Sequence, residues 1–198
     1  MQETVITISR QYGSGGRIIA RRLAEELGIP YYDKEIIQKV SQETGMTEHY
    51  IRQNEFQTTG SFLFDLYGMT QIMSPPDQVF VAQSKAIKGA AEQGSCVILG
   101  RCADYVLEKR RACLKVFVMA PLEERVARAR TEYRDEAANL EAYVQRQDRL
   151  RASYYSHFVG RRWGDMSNYD LCISTHIGME NAVEIIKRAA MAMEAGIR

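Results

Sequence analysis

Short, unbroken apolar runs separated by amphipathic stretches constrain this chain more than any other feature. The runs TVITIS (4–9), CVILG (96–100), LKVFVMA (114–120) and YDLCIS (169–174), with a shorter IPYYD (29–33), lack the polar alternation of a half-exposed strand. Strands of that kind have to be covered on both faces, as in a parallel sheet held between helix layers. Between them lie helical patterns: GRIIARRLAEEL with apolar Ile18, Ile19, Leu23 and Leu27, DQVFVAQSKAIKGAAEQ, PLEERVARARTEY opening on a proline, and GMENAVEIIKRAAMAM. The alternation predicts an α/β architecture with right-handed crossovers. A chain of 198 residues, 45% of them hydrophobic, is enough for one such domain over 1–198 and too short for two full-size ones.

Two stretches break the alternation. Residues of about 45–80 mix aromatics and methionines without clear periodicity up to Pro75 and Pro76, and read as an insert, helical over EFQTTGSFLFDLYGM, whose apolar side chains need cover from the domain or from a second copy of the chain. That leaves a homodimer open. Residues of about 135–165 are rich in arginine and tyrosine and read as a mobile lid. Both follow strands, at the sheet edge where α/β ligands bind.

Composition narrows the function classes. A formal net charge of +1 gives no global field to attract nucleic acid or a membrane surface, so a basic function has to be local. Cys96, Cys102, Cys113 and Cys172 form no C-x-x-C pair and read as reduced, mostly buried residues; His49, His157 and His176 are scattered, and no metal site is visible. With no charged-then-apolar leader and no apolar run of membrane-spanning length, the chain reads as a cytoplasmic protein.

The segment ITISRQYGSGGRIIA (6–20) runs from a β-branched strand through glycines into a helix. Phosphate-binding loops are built this way, because glycines let successive N–H groups converge and the helix start adds its positive dipole end. Gly13, Ser14, Gly15 and Gly16 supply the cradle. The charge chemistry departs from G-x-x-x-x-G-K-[ST], in which lysine reaches the phosphates and a hydroxyl holds Mg²⁺. Arg10 stands at the first glycine and Gly16 at the lysine, Arg17 follows immediately, and Ile18 after it has no hydroxyl to hold Mg²⁺. One residue along a helix turns a side chain by roughly 100°, so Arg17 cannot take the lysine's path. Arg10, at the loop mouth, is the better candidate to fold over phosphates.

With the loop, the blocks YYDKEII, CVILGRCADYVL, LKVFVMAPLEERVARA, QRQDRLR and YDLCIST make the chain resemble the cytidylate kinase-like branch of the P-loop nucleoside monophosphate kinases over nearly its whole length. The resemblance implies a three-layer fold with a five-stranded parallel sheet in the order 2-3-1-4-5, and ATP with Mg²⁺ as phosphoryl donor. It implies that Gly13, Ser14, Gly15, Gly16, Arg17 and Ile18 form the donor loop, and that Asp33 and Lys34 lie near the acceptor. Lys39 falls where an arginine grips the acceptor phosphate, and Arg101 should reach the same group. Arg146, Asp148, Arg149 and Arg151 match lid positions, so that Arg10, Arg17, Arg146, Arg149 and Arg151 are the candidate catalytic cations. Leu150 and Ser153 stand where true cytidylate kinases carry an acceptor-reading aspartate and arginine, so cytosine is not implied.

Read from the residues alone, Arg101 at a strand end points to function, whereas Arg125, Arg128 and Arg130 beside Glu123 and Glu124 look like a solvated helix face. Three function classes follow. The first is a kinase of a nucleoside monophosphate or related phosphorylated acceptor. The second is a nucleotide sensor that has lost turnover with its lysine. The third is a single-stranded nucleic-acid binder, in which Tyr154, Tyr155 and Trp163 of RLRASYYSHFVGRRW stack on bases.

Overall fold

The computed structural model describes residues 3–55 and 73–197. In chain order its main elements are β1 (Val5–Arg10), α1 (Gly16–Leu27), β2 (Tyr31–Tyr32), α2 (Lys34–Thr44), α3 (Glu48–Asn54), α4 (Pro75–Glu92), β3 (Cys96–Leu99), α5 (Ala103–Val106), β4 (Cys113–Met119), α6 (Leu122–Thr131), α7 (Leu140–Val159), β5 (Leu171–Ser174) and α8 (Met179–Ile197). The strands form one parallel sheet in the order β2-β3-β1-β4-β5. Val5 of β1 sits beside Cys96 on one side and Cys113 on the other, which makes β1 the central strand.

Strand alternation divides the core into two layers. Ile6 and Ile8 pack with Val97, Leu99, Val116 and Val118 against Ile19 and Leu23 of α1 and Val183 and Ile186 of α8. Val5, Cys96, Ile98 and Cys113 belong to the other layer, with Ile36 and Ile37 of α2, Ile51 of α3 and Val79 and Ile87 of α4. Ile18 is off this scheme: the buried set on α1 is Gly16, Ile19, Ala20, Leu23 and Ala24, and Ile18 is 38% exposed. Of the four cysteines, all free, three are buried, and burial pushes the Cys96 and Cys113 thiols up to about 12.

Caps set the helix limits. Ser74 accepts from the Asp77 N–H ahead of the two prolines that open α4, and Gly28 ends α1 in the left-handed conformation at φ 62°. The expected insert contributes α3 and the start of α4, while the helix expected over EFQTTGSFLFDLYGM lies outside the described residues apart from Glu55. Most of the expected lid is α7, a 20-residue helix capped by Asn139, which accepts from the Ala142 N–H. Its C-terminal half is anchored: Tyr154 and Tyr155 are 2% and 3% exposed, and Phe158 stacks on Phe80 with centroids 4.2 Å apart. Bases therefore cannot stack on Tyr154 or Tyr155, and Trp163 packs edge-on against Phe117, which removes the nucleic-acid reading. Among the described residues no helix is long and apolar enough to cross a membrane.

One buried polar junction ties α7 to the central strand. Asp104, in the first turn of α5 and 3% exposed, accepts from Tyr155 Oη at 2.7 Å and from Ser9 Oγ at 3.3 Å. Burial raises its carboxyl pKa against the pull of those two donors. A carboxyl whose folded pKa is raised contributes stability at low pH and loses it as pH rises through that pKa. Wild type should therefore lose stability relative to Asp104→Asn as pH rises above the ordinary 3.8, and Asp104→Ala should cost about 2–4 kcal/mol at pH 4, through two orphaned donors and a cavity, and less as pH rises. Urea melts of the three proteins from pH 4 to 8 check this; a pH-independent gap between wild type and the asparagine variant would show that the charge carries no cost.

Candidate active site

The loop between β1 and α1 is held open from outside. Gly13 and Gly15 have φ of 77° and 82°, and a Cβ on Gly13 would run into the backbone carbonyl of Arg125, so glycine is required by both conformation and space. The loop carbonyls are taken by neighbours: Arg125 Nη1 donates to Tyr12 O at 3.3 Å, Arg128 Nη1 to Gly13 O at 2.6 Å and Thr175 Oγ1 to Ser14 O at 3.0 Å. The N–H groups of Gly16 and Arg17, which open α1, have no acceptor among the described residues. Such an arrangement of spent carbonyls and free amides at a helix start is an anion cradle.

Arg125 and Arg128 are thus not the solvated face that their spacing suggested. Arg125 is 7% exposed and pairs with Asp148 of α7 at 2.5 Å, while Asp148 also accepts from the Tyr12 N–H at 2.6 Å. Arg151 joins the same carboxylate at 3.4 Å and lies over the Tyr12 ring, 5.2 Å from its centroid. Tyr12 is further fixed edge-on by Tyr133 and Tyr143, and its hydroxyl donates to Asp135 at 2.8 Å. None of these partners is adjacent in sequence to the loop; QRQDRLR pointed to Asp148 and Arg151, whereas no motif announced Arg125, Tyr133, Asp135 or Tyr143.

A cavity of about 400 Å³ opens over the loop, lined among others by Arg10, Gly16, Arg17, Tyr133 and Arg151. Arg10 and Gly16 fit each other. A Cβ on Gly16 would lie 2.6 Å from Arg10 Cβ and 2.9 Å from its Cγ, and a Cβ on Gly100 would overlap Arg10 Nη1. The arginine stem therefore runs past the place where a loop lysine would start, and its head lies against the turn after β3. Burial, followed by the neighbouring Arg151, pushes the Arg10 pKa down to about 9, with Arg101 and Arg17 adding to the effect and Asp33 opposing it. Among the described residues no carboxylate comes within ion-pair distance of Arg10.

A charge cluster lies at the ends of β2 and β3. Asp33, 6% exposed, receives Arg17 Nε at 3.0 Å and Arg101 Nη1 at 3.2 Å. Burial alone would raise its pKa, but Arg101, Arg17 and Arg10 together hold it below the usual carboxylate value. Arg101 has φ 55° and follows Gly100 at 73°, a left-handed run continued by Cys102 at 53°. Such backbone is costly away from glycine and concentrates at functional sites. Its Nε lies 2.8 Å from Glu55 Oε1, an ion pair without hydrogen-bond alignment, and Glu55 is held in turn by Gln83 Nε2 at 3.1 Å.

Of the residues singled out in the sequence, Arg10, Gly13, Gly16, Arg17 and Arg151 line the cavity, and Asp33 and Arg101 adjoin it. Ser14 is buried and its hydroxyl donates to Gln11 O at 2.9 Å, so it serves the loop's own shape. Lys34 is exposed on α2, and Lys39 lies 5.7 Å over the Tyr32 ring; neither lines the cavity. Arg146 and Arg149 are exposed on α7 and have no ion-pair partner among the described residues. The residues do not fit a loop-held Mg²⁺: Arg17 and Ile18 replace the hydroxyl, and the described residues contain no group of three His, Cys, Asp or Glu able to hold a metal ion.

Comparison with known proteins agrees with the fold. Residues 5–177 match the cytidylate kinase-like family. The cytidylate kinase of Methanopyrus kandleri is 26% identical over 196 residues, covering 94% of this chain and 92% of the relative. That of Pyrococcus furiosus is 31% identical over 191 residues, covering 94% and 88%. In fold, the chain is similar to an uncharacterized protein from Eubacterium ventriosum (TM-score 0.72, 23% identity, 96% and 99% covered) and to the shikimate kinase of Bacteroides thetaiotaomicron (TM-score 0.57, 11% identity, 94% and 97% covered).

The contact between positions 10 and 16 makes a direct prediction. Gly16 has ordinary backbone angles, so Gly16→Ala is opposed by Arg10 alone and should cost about 1–3 kcal/mol, the range for overpacking. In the Arg10→Gly background the same change should cost about 1 kcal/mol less, because the opposing Cβ is gone. Gly16→Lys should behave like Gly16→Ala or worse, with or without Ile18→Thr. Denaturant melts of the double-mutant cycle test this; additive effects would mean that the two positions do not share space.

Proposed function

The chain belongs to the cytidylate kinase-like family, and on that premise we propose that it is an ATP-dependent phosphotransferase acting on a nucleoside monophosphate or a related phosphorylated acceptor. One observation carries the proposal. Arg10, half-buried, without a carboxylate partner among the described residues and crowded by other guanidiniums, lines the same cavity as a loop whose helix-opening N–H groups lack acceptors. A buried cation left in that condition is stabilised by an anion, and the geometry suits a chain of phosphates.

In this reading the Gly13–Arg17 loop holds the donor's phosphates, and Arg10 supplies the charge that lysine supplies in the usual loop. An oxygen of the acceptor attacks the terminal phosphorus as the bond to the bridging oxygen breaks, and the nucleoside diphosphate leaves with that electron pair. Arg10, Arg17 and Arg151 neutralise charge on the transferring group from fixed positions, which matters most where water is excluded. Asp33, kept ionised by its arginines, is a hydrogen-bond acceptor for a hydroxyl of the acceptor nucleoside; Arg101, with Lys34 and Lys39 farther out, faces the acceptor's phosphate. Arg146 and Arg149 approach the donor from the exposed side of α7.

The sensor reading uses the same loop and differs only in turnover. A coupled assay of the ribo- and deoxyribonucleoside monophosphates with ATP or GTP separates them: release of diphosphate with at least one acceptor supports the kinase, and binding without turnover supports the sensor. Within an active enzyme, Arg10→Ala should lower kcat/KM by about 2 kcal/mol or more, roughly 30-fold, whereas exposed Arg149→Ala should cost less than about 1 kcal/mol. Equal effects at the two positions would remove Arg10 from its assigned role.

A further inference from the structure

The proposed nucleotide site carries its own cations, and the disagreement between those residues and a loop-held metal has a consequence for the form of nucleotide that binds. We infer that the loop takes the triphosphate tail free of a divalent cation at least as tightly as its Mg²⁺ complex, with Arg10, Arg17 and the free amides of α1 supplying the neutralisation. The inference rests on the nucleotide-binding reading above and goes beyond it.

The protein groups that could ligate a metal beside the loop are engaged, Asp135 on the cavity wall by the hydroxyl of Tyr12 at 2.8 Å and the others by backbone or by guanidiniums. Position 17, which follows the lysine position and would carry the hydroxyl, is Arg17, whose Nε is bound to Asp33; the next residue, Ile18, is apolar. Ser14 has no exposed surface and spends its hydroxyl on Gln11 O. Asp33 is shared by Arg17 and Arg101, and Asp148 by Arg125, Arg151 and the Tyr12 N–H. Glu132, on the cavity wall, pairs with Arg128 at 3.3 Å. To ligate a cation, Asp33 or Asp148 would have to leave Arg101 or Arg125 unpaired in a buried setting, at the cost that accompanies an uncompensated buried charge.

The field in the cavity points the same way. Arg10 has no carboxylate within ion-pair distance among the described residues, and the nearby Arg151, Arg101 and Arg17 disfavour its charge, with Asp33 opposing them from farther off. A divalent cation brought beside it adds repulsion of the same sign, whereas a metal-free triphosphate brings more negative charge to the guanidiniums than the metal complex does. Guanidinium is also a planar fork that grips phosphate oxygens in pairs, which spares the phosphates the bridging that a metal provides.

Isothermal titration of the full chain with ATP, in Mg²⁺ and in EDTA at matched ionic strength, tests the inference without reference to turnover. The dissociation constant in EDTA should equal that in Mg²⁺ within about threefold or be smaller. Linkage requires the reciprocal effect, so adding the protein to Mg²⁺-ATP should leave free Mg²⁺, read with a fluorescent indicator, unchanged or higher. Arg10→Gln, checked for folding by its melting temperature, should weaken ATP in EDTA about tenfold or more. Binding more than about threefold weaker in EDTA, or the matching fall in free Mg²⁺ on adding protein, would overturn the inference while leaving the nucleotide site standing. Failure to bind ATP under either condition would overturn both.

Discussion

Arg10 leaves the end of the central strand past a glycine that offers it room, and this exchange of a side chain for a space governs the rest of the site. A P-loop lysine begins at the helix start and reaches back over the phosphates. Here the helix start is bare, and the cation begins on the strand. The stem then fills the volume beside Gly16, and the head comes to rest against Gly100, where the chain turns left-handed into Arg101 and Cys102. The arginine therefore couples the glycine loop to the turn after β3.

The surrounding charges are arranged so that the remaining arginines of the site are held while Arg10 is left open. Asp33 serves Arg17 and Arg101, Glu55 adds a second carboxylate to Arg101, Asp148 serves Arg125 and Arg151, and Glu132 serves Arg128. These acids come from the end of β2, the end of α3, the middle of α7 and the end of α6. Pairing fixes each guanidinium in direction and lowers its own cost of burial, so the field at the loop is prepared before any ligand arrives. The same pairing reduces what Arg101 can give to an acceptor phosphate, which leaves Asp33 as a candidate to read a hydroxyl.

The sequence made the sheet and the loop legible because their causes are local. Runs such as CVILG need cover on both faces wherever they fall, and glycines after a β-branched strand permit few other turns. The order of the strands came only with the family resemblance. Arg125 and Arg128 were misread because an arginine and glutamate pattern on a helix is the same whether the face meets water or the outer side of a loop. Only the pairing of β4 with β1 brings α6 beneath Gly13, and that pairing is not encoded in the spacing of EERVARAR. Ile18 was misread for a simpler reason, since it lies one residue, and hence about 100°, away from the face formed by Ile19, Ala20 and Leu23.

The long helix α7 shows why the arginine-rich segment is more than a lid. A mobile lid delivers its cations by closing, and its arginines pay for being ordered at that moment. In α7 the ordering is done in advance by side chains that do not line the cavity: Tyr155 on Asp104, Tyr154 on Gln83, and Phe158 on Phe80. Arg151 lies one turn from Tyr155, on the same helix, and is locked to Asp148 and the Tyr12 ring as well. Its guanidinium is thus placed by the core, whereas Arg146 and Arg149, on the exposed side of the same helix, have no such support. A site that has lost its lysine depends on guanidiniums held from behind, because a long flexible cation contributes little until something else has fixed its position.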